Sequence, residues 1–325
     1  MIVAGIDEAG YGPLLGPLVV GCCAFEIGGD ADADKPTEPP CIWKRLRKNL
    51  RKTRARDGRT LHVNDSKLVY SSGAIAELER SVLAIAGAAG FKTDTFDSLV
   101  DCVSPRVGAQ LRAYPWYLPA GETFPIENDP ISVRMHANSL RLESQRTQTA
   151  CVHMGAQIVP EGEFNRMVQS TRNKASALFS LAAMHLDHLL RTYGDKNLFI
   201  VCDRQGGRMR YGHLLRLMFE EWSLEILSEN EEGCSEYAMR RAGHSVRITF
   251  VEKAETGCLP VAVASMLSKY LREGLMRRFN AFWSAQLPGL IPTAGYYGDG
   301  SRFLKDIEVK RHEMGITDER LVRCR

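Results

Sequence analysis

Four acidic residues lie where apolar, strand-like segments of this sequence end. Asp7 and Glu8 follow the apolar stretch that begins at Ile2, and Asp203 and Glu255 follow two later ones. Burying several carboxylates together is unfavourable unless cations compensate their charge. Mg²⁺ and Mn²⁺ prefer such oxygen ligands, and no Cys/His spacing in the chain favours zinc. Two such ions, about 3.5–4 Å apart, can activate water and stabilise the leaving oxygen of a phosphodiester. The residues therefore predict a metal-dependent site for phosphodiester hydrolysis.

A glycine-rich turn follows the first acidic pair. Adjacent strand residues point to opposite faces, so Asp7 and Glu8 can share a site only where the pleat ends. Gly10 and Gly12 are expected to end it, because glycine adopts backbone conformations closed to other residues and lets another segment approach closely. This pattern fits a site for metal and phosphate. A tight hairpin whose acids face water fits it as well.

Basic residues are concentrated in segment 44–59, KRLRKNLRKTRARDGR, which holds nine basic residues and one acidic residue. Ile42, Leu46 and Leu50 fall at helical spacing, which predicts that the segment begins as an amphipathic helix. Most charge runs of this kind are solvated insertions. Because this one follows a candidate phosphate-handling site, a role in gripping a polyanion is an equal alternative.

Two shorter cationic segments accompany the other acids. In segment 64–67, Asn-Asp-Ser-Lys, Asp65 or Ser66 is expected to cap a helix, which leaves Lys67 able to reach a phosphate. Segment 204–210, Arg-Gln-Gly-Gly-Arg-Met-Arg, directly follows Asp203. It predicts a flexible cationic rim at the carboxyl end of a strand, where ligands bind in open α/β sheets.

Apolar spacing predicts the elements that position these residues. The predicted strands are 2–6, 18–25, 91–100, 150–159, 198–202 and 246–251. The predicted helices begin near 75, 173 and 260, and the small residues of 260–267 would let the last helix lie close against a sheet. His185 is expected to be packed inside the second of these helices. Segment 104–148 is interpreted as an irregular insertion, in which Tyr114, Trp116 and Tyr117 pack the loop rather than stack on bases.

Composition sets further bounds. With 325 residues, 44% of them hydrophobic, the chain can bury the core of one large domain, here taken as 1–325. The net charge of +3 does not by itself demand a nucleic-acid partner. No run is long and apolar enough for a membrane span, and no signal-peptide pattern is found. Nine scattered cysteines without a CxxC pair indicate a reduced, cytoplasmic protein. No heptad signature predicts a dimer, so a monomer is expected.

Six segments together resemble the type 2 ribonucleases H (ribonuclease HII). GIDEAGYGPLLGPLVVG is similar to the opening signature of that family, and NDSKL resembles its Asp-Ser-Lys motif. NKASALFSLAAM resembles its Asn-rich helix start, and VCD takes the place of its strand-end aspartate. KAETGCLPVAVASMLSK resembles its Lys-Ala-Asp segment and the following helix, and AGYYGDGSRFL its Gly-Tyr-Pro-x-Asp-Pro loop. The order is the same, with insertions at about 28–60 and 104–148.

The resemblance implies an α/β, RNase H-like fold: a mixed five-stranded sheet flanked by helices, with a helical C-terminal extension at about 258–325. It implies hydrolysis of the phosphodiester at ribonucleotides in RNA–DNA hybrid or duplex DNA, with Mg²⁺ or Mn²⁺. Asp7, Glu8, Asp203 and Glu255 would be the catalytic metal ligands. The substrate contacts implied are the backbone of Gly10, Tyr11 and Gly12 at the ribose 2′-hydroxyl, Lys67 at a phosphate, and Tyr296 at the sugar.

Three departures from the family pattern bear on this expectation. Tyr11 replaces an arginine and so removes a positive charge beside the substrate path. Glu255 replaces an aspartate and adds one methylene to a ligand, where displacement by about 1 Å can cost roughly 10²-fold in rate. The segment after Asp203 also differs from the family's usual Gly-Asn. Two alternatives therefore stay open: a structure-specific DNA or RNA nuclease on the same fold, and a nucleic-acid-binding protein without catalysis.

Overall fold

The computed structural model of this protein describes residues 1–28, 38–55, 58–70, 74–119, 121–229 and 233–324. The strands in these ranges are β1 (Ile2–Ala9), β2 (Leu18–Ile27), β3 (Leu50–Arg51), β4 (Leu61–His62), β5 (Thr149–Val159), β6 (Leu198–Asp203), β7 (Ser223–Glu229), β8 (Cys234–Arg241) and β9 (His244–Val251). Parts of the predicted basic insertion, residues 29–37 and 56–57, lie outside the described residues.

Helices surround the strands and make up most of the C-terminal part. They are α1 (Ile42–Arg45), α2 (Ser66–Val69), α3 (Ala76–Ala88), α4 (Phe96–Val103), α5 (Val107–Arg112), α6 (Pro130–Thr147), α7 (Glu161–Thr171), α8 (Lys174–Tyr193), α9 (Gly212–Met218), α10 (Leu259–Gln286), α11 (Tyr297–Asp306), α12 (Glu308–Glu313) and α13 (Asp318–Leu321). Two 3-10 helices cover Pro115–Tyr117 and Ala254–Thr256.

The main sheet is mixed and has the strand order β5-β2-β1-β6-β9-β8-β7. The three strands β1, β6 and β9 run parallel to one another, whereas β2, β5, β8 and β7 pair antiparallel with their neighbours. Apolar side chains pack on both faces, with α3 and α10 on one and α8 and α9 on the other. The predicted α/β class, with a mixed sheet flanked by helices and a helical C-terminal part, is confirmed.

The prediction of five strands is wrong, because the hairpin β7–β8 extends the sheet beyond β9 to seven strands. Tyr237 and Met239 of β8 pack into the core, but most residues of β7 are exposed or half-buried. A strand at the edge of a sheet needs no buried face, so its sequence lacks the regular alternation that indicates a strand.

Segment 91–100 also differs from its prediction as a strand. Thr95 and Ser98 form a reciprocal capping box, and α4 begins directly after Thr95. The hydroxyl oxygen of Thr95 accepts from the Ser98 N–H at 3.0 Å, which satisfies a backbone donor at the start of the helix. This local capping outweighs the short apolar run.

The interpretation of segment 104–148 as irregular is wrong for its second half, which forms α6. The Asp129 side chain caps this helix by accepting from Ser132 N at 2.8 Å, and Pro130 occupies its first turn. Val133, Ala137 and Leu140 are buried along one face. The aromatic residues of the first half are buried as predicted: Tyr114, Trp116 and Tyr117 are 4%, 0% and 1% exposed.

Helix α10 lies against the centre of the sheet, as its small residues predict. A side chain at Gly5 of β1 would place its Cβ 2.1 Å from the backbone nitrogen of Val261, and one at Gly21 of β2 would lie 2.6 Å from the carbonyl oxygen of Ala264. These glycines therefore allow direct contact between helix backbone and sheet. On the other face of the sheet, His185 of α8 is buried and its Nε2 lies 2.9 Å from the Val20 carbonyl oxygen, which confirms it as a packed residue.

Candidate active site

The four candidate acids lie at one edge of the sheet. Asp7 and Glu8 are near the carboxyl end of β1, Asp203 is the last residue of β6, and Glu255 lies in the 3-10 helix that follows β9. Because these three strands are parallel neighbours, their carboxyl ends meet. The backbone N–H of Ala254 donates to Oδ1 of Asp203 at 3.2 Å, which fixes the Glu255 segment beside β6.

Strand β1 ends at Ala9, directly before Gly10, as the sequence predicts. Pairing of β1 with β2 continues to Ala9, but pairing of β1 with β6 ends at Ile6 and Cys202. The two acids thus start from opposite faces of β1, beside the gap that opens where β6 no longer pairs. The separation of β1 from β6, together with the end of β1 at the glycine turn, gives both carboxylates access to one space.

The carboxylates influence one another electrostatically. Burial raises the pKa of Asp7 well above its ordinary value, and the charges of Glu8 and Asp203 raise it further. Burial and then the charge of Asp203 raise the pKa of Glu8 to about 7. The pKa of Glu255 is raised by burial and then by the charges of Asp203 and Asp65. Such a group of acids is destabilised by its own ionisation unless a cation is close.

Lys67 supplies part of this compensation. It is exposed in α2, where the Asp65 side chain accepts from the Lys67 N–H at 2.9 Å and so caps the helix as predicted. Its ammonium charge lowers the pKa values of Glu8, Asp203 and Glu255, against the larger upward effect of burial. The structure therefore brings Lys67 to the acidic site.

Two serines that the sequence analysis did not single out support Asp7. A side-chain hydrogen bond from Ser265 lowers the pKa of Asp7, although burial outweighs it. Oγ of Ser265 also lies 3.0 Å from Oγ of Ser66, and the Ser268 hydroxyl donates to the Asp7 carbonyl oxygen at 3.2 Å. Helix α10 thereby connects the Asp-Ser-Lys segment to the first acid. In the sequence, the only indication that α10 contacts these segments was its small-residue composition.

Two buried arginines, Arg272 and Arg323, contact the turn after β1. Gly10 has a φ of +87°, and a Cβ there would lie 2.7 Å from the Pro17 carbonyl oxygen and 2.5 Å from Nε of Arg272. Arg323, near the end of the chain, is 1% exposed and donates to the carbonyl oxygens of Gly10 and Tyr11. The turn is therefore part of the packed structure and not a free hairpin.

The ring of Tyr11 lies between the acids and the segment that follows Asp203. Lys174, at the start of α8, lies 5.5 Å from the ring centroid, and a Cβ at Gly206 would contact the ring at 3.7 Å. Burial raises the pKa of Tyr11, the charge of Glu8 raises it further, and the charges of Arg323 and Arg208 lower it. Three cations thus lie around Tyr11, which stands where the ribonucleases HII that the sequence resembles have an arginine.

Tyr296 lies beside the same turn. The backbone N–H groups of Leu14 and Leu15 donate to the Gly295 carbonyl oxygen at 2.8 and 3.2 Å, which joins the two loops. The guanidinium of Arg272 lies 5.7 Å from the centroid of the Tyr296 ring, which is 52% exposed. An exposed aromatic face next to the glycine turn is suited to pack on a sugar or base.

The segment after Asp203 is less free than its glycines predicted. Arg204 pairs with Glu252, and Arg208 lies 5.9 Å from the Phe179 ring centroid. Gly206 and Gly207 have φ values of +55° and +78°, conformations that favour glycine. The cationic rim is therefore anchored by its side chains, with the two glycines forming its tip.

The donor set of the site fits a hard cation. Within the ranges that the structure describes, Oε2 of Glu8 is buried without a hydrogen-bond partner. In the same ranges no three His, Cys, Asp or Glu side chains are already arranged to hold a metal ion. Asp7, Glu8, Asp203 and Glu255 are the residues that would hold one, after their side chains reorient to share it.

Comparisons with known proteins give structural likenesses only. No protein-family model matches the sequence, and no curated protein matches it. A ribonuclease HII from Archaeoglobus fulgidus, solved in complex with PCNA, is 15% identical with a TM-score of 0.43, and the match covers 100% of this chain and 95% of that one. The ribonuclease H2 of Pyrococcus horikoshii OT3 is 14% identical with a TM-score of 0.39, covering 99% and 92%.

A third solved structure, Bst-RNase HIII in complex with Mn²⁺, is 13% identical with a TM-score of 0.42, covering 99% of this chain and 66% of that one. These enzymes are ribonucleases H, the class whose motifs the sequence resembles. Because these TM-scores are below 0.5, the likenesses do not establish the activity of this chain.

In the part of the chain that the structure describes, no helix is both long and apolar enough to cross a membrane.

Proposed function

We propose that this protein is a metal-dependent endonuclease of the ribonuclease H type. Its substrate would be the phosphodiester at a ribonucleotide, in RNA–DNA hybrid or in duplex DNA. The observation that carries the proposal is the meeting of Asp7, Glu8, Asp203 and Glu255 at one sheet edge, with Lys67 beside them. These positions are more than 240 residues apart in sequence at the extremes, so their convergence is a property of the fold.

Each group has a role that follows from its place. The four carboxylates would hold Mg²⁺ or Mn²⁺, which when bound supplies charge for activating water and stabilising the leaving oxygen. Lys67 would contact a phosphate oxygen next to the scissile bond. The peptide groups of Gly10, Tyr11 and Gly12, fixed by Arg323, would meet the ribose 2′-hydroxyl, the group that distinguishes RNA from DNA. Tyr296 would pack on the adjacent sugar.

The test is cleavage of a labelled DNA duplex with one embedded ribonucleotide, next to an all-DNA duplex of the same sequence, with Mg²⁺ or Mn²⁺. We expect one nick at the ribonucleotide, which Asp7→Asn abolishes. Glu26→Gln is the matched control, since Glu26 lies at the opposite end of β2 and pairs with Lys196 at the surface. Loss of cleavage in both variants would contradict the assignment of Asp7.

A structure-specific nuclease is the second candidate, and Tyr11 in place of arginine is the observation that favours it. Equal cutting of both duplexes, lost in Asp7→Asn, would support that candidate. Binding without cutting by either metal would contradict both and leave a nucleic-acid-binding protein.

A further inference from the structure

Residues 41–52, the described part of the basic segment that comes first, are anchored in the fold. The predicted amphipathic helix is limited to α1, after which the chain turns into β3, paired with β4. Four apolar residues of the segment are buried: Ile42, Trp43, Leu46 and Leu50 are 3%, 6%, 0% and 1% exposed. The Arg45 side chain bonds to the protein itself: it donates to the hydroxyl of Thr149 at 2.7 Å and to the carbonyl oxygen of Thr147 at 2.7 Å. A segment anchored in this way does not behave as a solvated loop.

The segment also touches the candidate active site. Nζ of Lys52 donates to the carbonyl oxygen of Thr256 at 2.5 Å, directly next to Glu255, and lies 4.3 Å from the Trp43 ring centroid. On its other side, the Asn64 side chain donates to the Lys52 carbonyl oxygen at 2.8 Å, three residues before Lys67. Lys52 and Lys67 therefore connect the acidic site to the basic segment.

Four further cations project outward from this scaffold: Lys44, Arg47, Lys48 and Arg51 are exposed. We call these four residues the basic ridge. Within the described ranges, none of them forms an ion pair with an acidic side chain. The nearby Glu143 already has a partner, because Arg146 donates to its two oxygens at 2.7 and 2.8 Å. The hydrogen bonds from Arg146, and then the charges of Lys48 and Arg47, lower the pKa of Glu143, so this carboxylate compensates part of the ridge's charge. The ridge still presents positive charge that is not held in ion pairs within the described ranges.

We propose that the basic ridge binds the phosphate backbone of the nucleic-acid duplex on one side of the scissile bond. This inference rests on the proposed function and specifies its substrate footprint. A duplex carries one negative charge per roughly 1.7 Å of its axis, so a strand leaving the acidic site past Lys52 meets the ridge with closely spaced phosphates. The ridge residues provide exposed positive charge on the segment that reaches the site through Lys52.

The experiment measures binding separately from cleavage. Fluorescence anisotropy of a labelled DNA duplex with one central ribonucleotide is recorded in EDTA, at salt concentrations between about 50 and 200 mM. The ridge variant carries Arg47→Gln, Lys48→Gln and Arg51→Gln together. We expect the slope of log K against log salt to become less steep by up to about 2.7, which is about 0.9 for each phosphate that the variant no longer neutralises. Thermal unfolding confirms that the exposed substitutions leave the fold intact.

The control variant removes the same charge elsewhere. It carries Arg191→Gln, Arg240→Gln and Arg241→Gln together. Each of these arginines forms an exposed surface ion pair away from the candidate site. We expect its slope to equal that of the unmodified protein. A second arm shortens the duplex on one side of the ribonucleotide: shortening on the ridge side should lower wild-type affinity to that of the ridge variant, and shortening on the other side should preserve the difference between them.

Two results would overturn the ridge: equal slopes for the ridge variant and the unmodified protein, or equal loss in the control variant. Equal slopes for the ridge variant and the unmodified protein are also the result expected if the ridge binds an acidic protein instead of the duplex. Failure of the proposed function is a separate result. If the unmodified protein does not nick the ribonucleotide duplex with Mg²⁺ or Mn²⁺, while the ridge variant still has the less steep slope, the ridge stands as a nucleic-acid-binding surface and the nuclease does not.

Discussion

Arg323 donates from Nη2 to the carbonyl oxygen of Tyr11 across 2.9 Å, joining residues 312 positions apart in the chain. The same guanidinium donates to the Gly10 carbonyl oxygen and lies 4.1 Å from the centroid of the Phe164 ring. Burial lowers the pKa of Arg323 to about 10, so the side chain stays charged at neutral pH. Arg323 thereby holds in place the peptide groups of Gly10 and Tyr11, which we propose contact the ribose 2′-hydroxyl of the substrate.

Replacing this guanidinium tests its role in positioning. In Arg323→Lys a single ammonium cannot reproduce the planar fork that bonds two carbonyl oxygens. One buried carbonyl is then left without a partner, and we expect the free energy of unfolding to fall by about 1–3 kcal/mol. Amide hydrogen exchange in residues 9–16 should accelerate, and the preference for the ribonucleotide duplex over DNA should decrease.

The control for that experiment is Arg320→Lys. Arg320 belongs to the same C-terminal part but packs on Tyr114, away from the turn. Denaturant unfolding and hydrogen exchange are measured for both variants. Unchanged exchange of residues 9–16 in Arg323→Lys, or the same change in both variants, would contradict the proposed role.

Glu255→Gln should separate activity from stability. Burial and the charges of Asp203 and Asp65 raise the pKa of Glu255, so its ionised form is unfavourable in the folded protein. A neutral side chain of the same shape removes that repulsion, and we expect the melting temperature in EDTA to be equal or higher. Cleavage should fall by roughly 10²-fold or more, since a ligand of the proposed metal is lost. Glu225→Gln, in a surface ion pair with Arg240 on the β7–β8 hairpin, should change neither quantity greatly.

Glu161 predicts a pH dependence of stability. It is fully buried, accepts from Tyr117 Oη at 2.8 Å and Gly16 N at 3.1 Å, and burial raises its pKa to about 7 from an ordinary value of 4.5. The folded state therefore binds a proton more tightly than the unfolded state between these two pH values. Stability contributed by this group is present below about pH 4.5 and is lost as pH rises to about 7.

The variant Glu161→Gln removes this titration but keeps the oxygen that accepts both hydrogen bonds. We expect it to be more stable than the unmodified protein at pH 8 by up to about 3 kcal/mol, with the difference shrinking towards pH 5. Urea unfolding at several pH values measures this. A constant difference between the two proteins across that range would show that Glu161 does not titrate as described.

Glu79 is a second buried acidic side chain, and several hydrogen-bond donors surround it. It accepts from the backbone N–H groups of Ile126, Glu127 and Asn128 at 2.6, 2.9 and 3.0 Å, and from the Tyr270 hydroxyl at 2.8 Å. In Glu79→Gln an amide NH₂ group would face some of these donors, and we expect a loss of about 3 kcal/mol in unfolding free energy.

Chemical denaturation of Glu79→Gln is compared with that of Glu77→Gln on the same helix. Glu77 pairs with Arg80 near the surface, so its change should stay within about 1 kcal/mol. Equal losses in the two variants would mean that the donors around Glu79 find other partners.

Local patterns in the sequence identified most of the central sheet and the residues of the candidate site. Apolar runs located β1, β2, β5, β6 and β9, and the position of Asp203 after such a run placed it at the sheet edge. The hairpin β7–β8, whose first strand is exposed or half-buried, and the capped helices α4 and α6 were missed. Their stability comes from side-chain caps and from pairing with a neighbouring strand, which apolar periodicity does not report.

By itself the sequence determined which residue types stand at strand ends, and hence that a cluster of acids was available. Tertiary structure decided how they meet: β1 and β6 separate after Ile6 and Cys202, so that Asp7 and Glu8 reach one space from opposite faces. It also placed Ser265 and Arg323, from distant parts of the chain, against Asp7 and Tyr11. Such contacts depend on how the elements pack in three dimensions, and no spacing along the chain specifies that.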